Sequence, residues 1–318
     1  MNSHNLNWIK QYIELMLAEN PDEAIPMKLD NFPDRFYRYC ALTDCNLLNL
    51  EKQQLWLSKI EKLNDPFECG MMFDKLASIR LFFGSDLFRD EFQRNIGMRI
   101  TDAEVTAIIS SNNPYEAYLL FCSAKGIAIS QSFGEHNAEV MKRWRDILEE
   151  VKEKIRVCCF TTRNDSIRMW SHYAQRHSGI CIEYDFLDSK NIRFILQPIY
   201  YCNEIFRIKT FEDLTIVTSI MAALHKSTDW SYESEWRVTG FPLANGLVSE
   251  TVNAPNPTAI YTGVRFENNE PAMKARLRDL AQRKGIPLIE MMQDPFEYKI
   301  VKKTNVPYSN LRDQAAPS

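Results

Sequence analysis

Residues 166–185, SIRMWSHYAQRHSGICIEYD, concentrate side chains that can do chemistry: two histidines, two arginines, a tryptophan, two tyrosines and two carboxylates. Such a set could ligate a metal, act in catalysis or line a polar pocket. At about 100° per residue, His172 and His177 would lie ~140° apart on a helix, so they do not share a face as paired metal ligands do. The sequence contains no second cluster of cysteine and histidine at ligand spacing. The spacing therefore predicts no metal site.

A short polar helix followed by a strand is the structure that this segment predicts. Arg168 and His172 are four positions apart and share one helix face, while Met169 and Tyr173 share another. Two interpretations remain open for these side chains. They could line a pocket, or Trp170 and Met169 could anchor the helix in the core while His172 only satisfies a local hydrogen bond.

A second candidate site lies in residues 225–240, HKSTDWSYESEWRVTG, where carboxylates stand among aromatic and basic residues. If a strand begins at Glu235, then Glu235 and Arg237 point to the same face, and an earlier start would add Glu233 to that face. A carboxylate held beside an arginine and aromatic surfaces suits general-base catalysis, or stabilisation of a sugar cation during bond cleavage. An ion pair on an edge strand would account for the same residues. The sequence alone leaves both readings open.

Composition narrows the class of protein. The 318 residues are 45% hydrophobic and 25% charged, with a net charge of −4 and a pI of about 5.9. These values are typical of a soluble globular protein and give no global basic field for nucleic-acid binding. The sequence shows no signal peptide and no apolar run of the ~20 residues that a membrane span needs. We therefore expect a cytoplasmic protein without membrane contact, in which the eight cysteines are reduced thiols.

The order of the predicted helices and strands indicates an α+β fold with mixed or antiparallel sheets and a helical insertion, because strands dominate the second half without regular βα alternation. We expect an N-terminal helix and linker over 1–35, a single domain over 36–303 with a helical insert at about 71–156, and a flexible tail over 304–318. Three prolines predict a loop over 21–34. Strands are predicted at 36–40, 55–58, 157–161, 179–186, 195–201, 235–239, 259–266, 287–292 and 298–302, and helices at 44–53, 210–224 and 271–285.

Five segments carry a resemblance to a known family: YRYCALTDCNLLNLEKQQLWLSKIEKLNDPFE, MWSHYAQRHSGICIEYD, IYYCNE, HKSTDWSYESEWRV and IYTGVRF. In this order they resemble a large bacterial family catalogued only as domain of unknown function 2971. The resemblance runs over about 36–302. It is weakest in the helical insert, and it implies no activity by itself.

A further resemblance links the order of these segments to ADP-ribosyltransferases of the DNA-modifying toxin type, and the fold implied is ADP-ribosyltransferase-like. It implies that Arg38 holds NAD, that Tyr37 or Tyr39 stacks on or orients it, and that Glu235 is the catalytic carboxylate. Arg168 and His172 would line the pocket or receive the acceptor, and Ser58 is the nearest match to the serine of arginine-specific transferases. The full set of implied NAD-binding positions is Tyr37, Arg38, Tyr39, Ser58, Arg168, Trp170 and Tyr173.

Three hypotheses about function follow from these residues. The first is an NAD-consuming, ADP-ribosyltransferase-like enzyme, acting as a toxin or phage-defence effector on a nucleic-acid or protein acceptor, with a neutralising partner. The second is a non-catalytic module that binds a nucleotide or nucleic acid in the same aromatic and basic cleft. The third is a hydrolase centred on His172, Glu183 and Asp185.

Overall fold

A computed structural model describes residues 3–128, 132–210, 213–240 and 250–303, without the side chains of 3–6 and 132–141. The predicted tail over 304–318 lies outside the described residues. The strands are β1 Phe36–Cys40, β2 Gln54–Trp56, β3 Ser58–Lys59, β4 Met71–Phe73, β5 Arg156–Thr161, β6 Ile180–Tyr184, β7 Leu196–Pro198, β8 Tyr200–Tyr201, β9 Phe206–Ile208, β10 His225–Lys226, β11 Glu235–Gly240, β12 Thr251–Asn253, β13 Ala259–Thr262, β14 Leu288–Gln293 and β15 Ile300–Lys302.

The helices surround these strands and include a block between β4 and β5. They are α1 Ser3–Leu17, α2 Pro21–Asp30, α3 Asp44–Glu51, α4 Lys75–Gly84, α5 Asp86–Ile96, α6 Asp102–Ile109, α7 Pro114–Ala124, α8 Ser132–Lys154, α9 Ile167–His172, α10 Lys190–Ile195, α11 Ile216–Ala223 and α12 Pro271–Lys284. Helices and strands alternate irregularly, and the predicted α+β class is confirmed.

The main sheet has nine strands within the described residues. Eight of them follow the order β15-β14-β13-β6-β1-β5-β11-β7, and β3 pairs with β5 beside this path. Neighbours run antiparallel except β13 and β14, which are parallel. The sheet is therefore mixed, as the sequence predicted.

The sheet opens between β1 and β5. These two strands pair only at Tyr37 and Thr161, while the other end of β5 pairs with Ser58 and Lys59 of β3. The strand predicted over 55–58 is consequently two strands, because β2 pairs with β12 instead. The opening leaves room beside the middle of β5, on one face of the sheet.

Side chains of successive residues point to opposite faces of this sheet. One face carries an apolar core that includes Phe36, Phe160 and Trp236, and helices α3, α10 and α12 pack against it. The other face carries Glu235 and Arg237. Against that face pack α9 in one apolar cluster and α1, α8 and α11 in another. The polar residues of β11 are thus buried beneath helices and not on an edge facing solvent.

The prediction of a loop over 21–34 was wrong in its first part, because α2 spans Pro21–Asp30. Pro21 stands in the first turn, where a missing N–H costs nothing. Pro26 lies inside the helix, which tertiary contacts stabilise. The buried Lys28 Nζ donates hydrogen bonds to the carbonyls of Arg193 and Phe194 at 2.9 and 2.8 Å.

The insert over 71–156 is largely helical, but it is not wholly helical. Its first residues form β4, which pairs in parallel with β9, and Arg156 already belongs to β5. Helices α4 to α7 enclose an aromatic cluster of their own around Phe83, Phe88 and Tyr118. This cluster is separate from the cores under the main sheet, so α4 to α7 pack on each other, whereas α8 packs against the sheet.

Candidate functional site

A cavity of about 80 Å³ lies where β1 and β5 diverge. It has room for a few water molecules, each of which needs at least ~10–15 Å³. Its walls come from five parts of the chain that are distant in sequence. The lining residues are Tyr37, Tyr39, Leu63, Asn64, Glu68, Cys159, Phe160, Thr161, Met169, Tyr173, Lys226, Glu233, Glu235 and Arg237.

Lys226 is the centre of a buried charge cluster at the base of this cavity. Its Nζ lies 2.6 Å from Glu233 Oε2, 2.8 Å from Glu235 Oε2 and 3.3 Å from Glu68 Oε1. All four side chains are at most 4% exposed. Burial disfavours the charged ammonium, but the three carboxylates, Glu235 foremost, outweigh this effect and raise the pKa of Lys226.

Arg237 is the second cation of the cluster, and its side chain is completely buried. Its Nε donates to Glu235 Oε1 at 2.6 Å, and its NH1 lies 2.7 Å from Glu68 Oε2. The same NH1 donates to the carbonyl of Ala223 at 2.7 Å. Arg237 thus ties Glu68 and Glu235 together in fixed positions.

A left-handed residue directs both glutamates of the YESEW segment at Lys226. A 3₁₀ turn, Thr228–Glu233, ends at Ser234, whose φ is +46°, and β11 begins at the next residue. This reversal is the reason why Glu233, which lies outside the strand, reaches the same lysine as Glu235. The hydroxyl of Tyr201 accepts the backbone N–H of Glu235 at 2.8 Å and fixes the start of the strand.

The NDPFE segment supplies the third carboxylate. Asp65 Oδ1 accepts the backbone N–H of Phe67 at 2.9 Å, which closes a turn. The turn carries Glu68 into the cluster and leaves Phe67 exposed. Asn64, at the start of the segment, donates to the hydroxyl of Tyr173 at 3.0 Å.

Tyr173 joins the charge cluster to the mouth of the cavity. Its hydroxyl donates to Glu233 Oε1 at 2.5 Å, and its ring packs beside Met169 one helical turn earlier. Burial and the charge of Glu233 raise the pKa of Tyr173, so the hydroxyl keeps its proton and stays a donor. Asn64 and Tyr173 are less buried than the cluster, which places the route to solvent on their side.

The cluster holds three carboxylates and only two cations, and its two neighbouring glutamates differ in their pKa values. Burial and the charge of Glu235 raise the pKa of Glu233, against the opposing effect of Lys226. Burial acts to raise the pKa of Glu235 too, but Arg237 and Lys226 outweigh it, and that pKa lies well below its usual value. Glu235 is therefore a fixed anion, and Glu233 is the carboxylate that can exchange a proton.

The structure brings together four of the site residues predicted from the sequence. Tyr37, Tyr39, Tyr173 and Glu235 line the same cavity. Glu235 has both oxygens in ion pairs, while Glu233 shares one oxygen with the hydroxyl of Tyr173. For proton transfer, these contacts favour Glu233 over Glu235.

The other predicted site residues do not line this cavity. Arg38 points to the opposite face of the sheet, next to the thiols of Cys40 and Cys158. Ser58 lies on β3, away from the cavity. The remaining three lie on α9 itself: Trp170 is buried in the core, and Arg168 and His172 are exposed.

Trp170 anchors α9 in the core and does not line the cavity. Its indole is fully buried, and its Nε1 donates to the carbonyl of Asn164 at 2.9 Å. The hydrolase hypothesis gains no support from contacts. Within the described residues, no hydrogen bond or ion pair joins His172 to Glu183 or Asp185, and both carboxylates pair with Arg35 instead.

Sequence reasoning missed Glu68 and Lys226 as site residues and mentioned Arg237 only as a neighbour of Glu235. Glu68 ends the NDPFE motif, and Lys226 opens the segment that also contains both glutamates. A search for a buried cation to balance the glutamates would have pointed to Lys226. Among the residues that the structure describes, no group of three or more histidine, cysteine, aspartate or glutamate side chains is arranged to hold a metal ion.

Comparison with known proteins gives one match. Residues 169–238 match the family described as "Protein of unknown function (DUF2971)". The matched segment contains Tyr173, Lys226, Glu233, Glu235 and Arg237, which supply most of the charge cluster. No curated protein and no solved structure matches the chain. Helix length and hydropathy in the described ranges nowhere reach what a membrane crossing requires.

Proposed function

We propose that the protein is an enzyme that cleaves the bond between nicotinamide and ribose in NAD, as an ADP-ribosyltransferase-like protein would. The observation that carries this proposal is the charge imbalance of the cluster. Glu68, Glu233 and Glu235 face two cations around a cavity, so the cluster has one negative charge in excess when Glu233 is ionised. The assignment of NAD as the substrate rests on the resemblance of the sequence segments.

A buried excess of negative charge favours a positively charged partner. In NAD the pyridinium ring carries a positive charge, and cleavage moves that charge onto the ribose as an oxocarbenium ion. A fixed anionic site in a region of low dielectric stabilises this cation without reorganisation during the reaction. Tyr37, Tyr39 and Tyr173 add aromatic surfaces to the cavity wall, and such surfaces attract cations as well.

In the proposed reaction, Glu233 accepts the proton that is released. The bond between the pyridinium nitrogen and ribose C1′ breaks, and its electron pair leaves with the nitrogen as neutral nicotinamide. Water, or the hydroxyl of an acceptor, then attacks C1′ and gives its proton to Glu233. A raised pKa makes Glu233 a stronger base than an ordinary glutamate. The cluster is anionic opposite the cation and becomes neutral once Glu233 holds the proton.

The size of the cavity limits how a dinucleotide can bind. A volume of about 80 Å³ has room for a few water molecules and cannot enclose nicotinamide and ribose together, so most of NAD must lie outside, across the mouth near Asn64 and Tyr173. Glu235 and Arg237 lie deeper and hold the charges in place. In this arrangement Glu233 is the catalytic residue, and Arg237 is a positioning residue.

The proposal is tested by incubating the full chain with NAD and measuring released nicotinamide by liquid chromatography. Tyr173→Phe removes the hydrogen bond to Glu233 and should lower turnover by roughly 10- to 150-fold, since one hydrogen bond to a charged group contributes ~1.5–3 kcal/mol. His172→Ala, on the same helix but exposed and outside the cavity, is the matched control and should stay within threefold of the parent.

Two outcomes would contradict the proposal that the protein is an enzyme that cleaves NAD. If NAD binds but no nicotinamide is released, with nucleic-acid and protein acceptors supplied, the binding module predicted as the alternative takes its place. If NAD neither binds nor reacts, the assignment of the substrate fails. If the Tyr173 and His172 variants lose turnover equally, the reaction does not take place in the cavity.

A further inference from the structure

A second feature lies on the outside of the molecule, where two adjoining clefts form one groove. Their volumes are about 740 and 560 Å³, and they share Ile167, Tyr298, Lys299 and Ile300. We call this feature the outer groove; it runs between the start of α9 and the loop that joins β14 to β15. None of its lining residues lines the buried cavity.

Aromatic side chains stand exposed along the outer groove. Tyr298 is 100% exposed and Phe296 is 63% exposed, on the loop between β14 and β15. This loop is held by its own hydrogen bonds, because Asp294 Oδ1 accepts the backbone N–H groups of Phe296 and Glu297 at 2.8 and 2.9 Å. The backbone N–H of Asp294 also donates to the carbonyl of Lys299 at 3.0 Å. A fixed loop therefore presents two large aromatic rings to solvent.

The outer groove also holds cations that have no carboxylate partner. Arg168 lies over the ring of Tyr232 at 4.8 Å, and Lys302 lies over the ring of Tyr261 at 5.3 Å. Arg265 is exposed in the adjoining cleft. In the ranges that the structure describes, none of these three cations forms an ion pair.

The acidic residues of the outer groove are already engaged. Asp165 pairs with Arg163 at 3.0 Å, Glu297 pairs with Lys299, and Asp294 caps its own loop. The groove as a whole carries five basic and three acidic side chains, although the protein has a net charge of −4. Positive charge is thus in excess at this place on an acidic protein.

We propose that the outer groove binds a single-stranded nucleic acid. Unpaired cations along a groove attract the phosphates of the strand, and exposed aromatic rings stack on its unpaired bases. A duplex keeps its bases stacked on each other, so it would leave Tyr298 and Phe296 unused. A free mononucleotide would contact one aromatic ring and one or two cations, and so uses only part of the groove.

Binding is tested by fluorescence anisotropy of a labelled 12-nucleotide oligo(dT) titrated with the full chain at low salt. The affinity should fall with salt with a logarithmic slope of about −2, as expected when three cations displace counterions from a single strand. Tyr298→Ala should weaken binding by roughly 5- to 150-fold, which is the range that stacking of one base contributes. Arg168→Ala should weaken binding and make the salt slope shallower by about 0.7.

Matched controls lie outside the groove. Phe194→Ala removes an aromatic ring that is also 63% exposed, and Lys190→Ala removes an exposed cation; both should leave the affinity unchanged within twofold. The proposal is overturned if the oligonucleotide does not bind at low salt, if a duplex of the same length binds as tightly, or if Tyr298→Ala behaves as Phe194→Ala does. If AMP binds as tightly as the oligonucleotide does, the ligand of the outer groove is a mononucleotide and not a single strand. Turnover of NAD does not enter these readouts, so either proposal can fail alone.

Discussion

Replacing Glu233 with glutamine tests the proposed chemistry most directly. Glutamine keeps the shape of the side chain, and its amide can accept from Lys226 and donate to the hydroxyl of Tyr173, but it removes the one charge by which the carboxylates exceed the cations. At a separation of ~4 Å and an effective dielectric constant of ~20, that charge stabilises a cation by roughly 4 kcal/mol. Turnover of NAD should therefore fall by about 10³-fold.

The stability of the fold should respond differently to Glu233→Gln. The raised pKa of Glu233 means that the folded protein disfavours the ionised form relative to the neutral one. A permanently neutral side chain removes this penalty, so the free energy of unfolding at pH 7 should be unchanged or slightly higher. Urea denaturation of parent and variant measures it. Loss of activity without loss of stability distinguishes a catalytic carboxylate from a structural one.

The pH dependence follows from the same residue. Glu233 must be ionised to accept a proton, and burial together with Glu235 raises its pKa above the usual value of 4.5. The kcat/KM of the parent should fall as the pH drops through this raised pKa, at a higher pH than an ordinary glutamate would give. The acid limb should be missing from any residual activity of Glu233→Gln.

If Glu233→Gln keeps turnover within threefold of the parent, Glu233 is not the base. Glu235→Gln is the informative comparison, because its low pKa shows that the fold favours its charge. That change should destabilise the protein by about 3 kcal/mol or more, since Arg237 and Lys226 lose a buried partner. A stable Glu235→Gln variant with no turnover would restore Glu235 as the catalytic carboxylate that the sequence predicted.

Three further changes test how the fold supports the site, each by the urea midpoint of unfolding. Arg237→Met leaves the three carboxylates with only one of their two buried cations and should cost ~3–5 kcal/mol, and an unchanged midpoint would mean that Arg237 contributes nothing to stability. Lys28→Met leaves backbone carbonyls unpaired and should cost about 2 kcal/mol, whereas no effect would show that α2 is not docked through this lysine. Gly263→Ala would place a Cβ 2.1 Å from the carbonyl oxygen of His177 and should cost ~1–3 kcal/mol or more; a tolerated alanine would contradict this close packing.

Much of the fold could be predicted from local patterns. The strand β1 has its predicted bounds, and β5, β11 and α12 differ from prediction by one residue at an end. These elements have clear periodicity or clear breaker residues at their ends. The error at α2 arose because a proline cluster usually marks a loop, whereas here the first proline fits the first turn and buried contacts of Lys28 stabilise the rest. Such contacts join residues over 160 positions apart, and no local pattern contains them.

The charge cluster could be predicted in part. Strand alternation places Glu235 and Arg237 on one face, and this is what the structure has. Strand alternation would place Glu233 on that face only if the strand began earlier. In the structure Glu233 lies before the strand and reaches Lys226 because Ser234 is left-handed, a conformation that is unusual for serine and has no sequence signal. Glu68 comes from a turn 169 positions away from Arg237 in the sequence, so its role needed the tertiary structure.

Strand geometry separates Arg38 from Tyr37 and Tyr39, which the resemblance had assigned to the same site. In a strand, Tyr37 and Tyr39 point to one face and Arg38 to the other. The three residues therefore cannot all contact one ligand from a single face of the sheet, although the resemblance implied that they do. The cavity contains the two tyrosines, and Arg38 lies in the opposite layer among thiols and apolar side chains. If NAD is the substrate, its phosphates must be held by cations other than Arg38. Arg38→Lys should thus leave the KM for NAD within about twofold, provided that the variant folds, and a tenfold rise in KM in a folded variant would show that NAD does not react in this cavity.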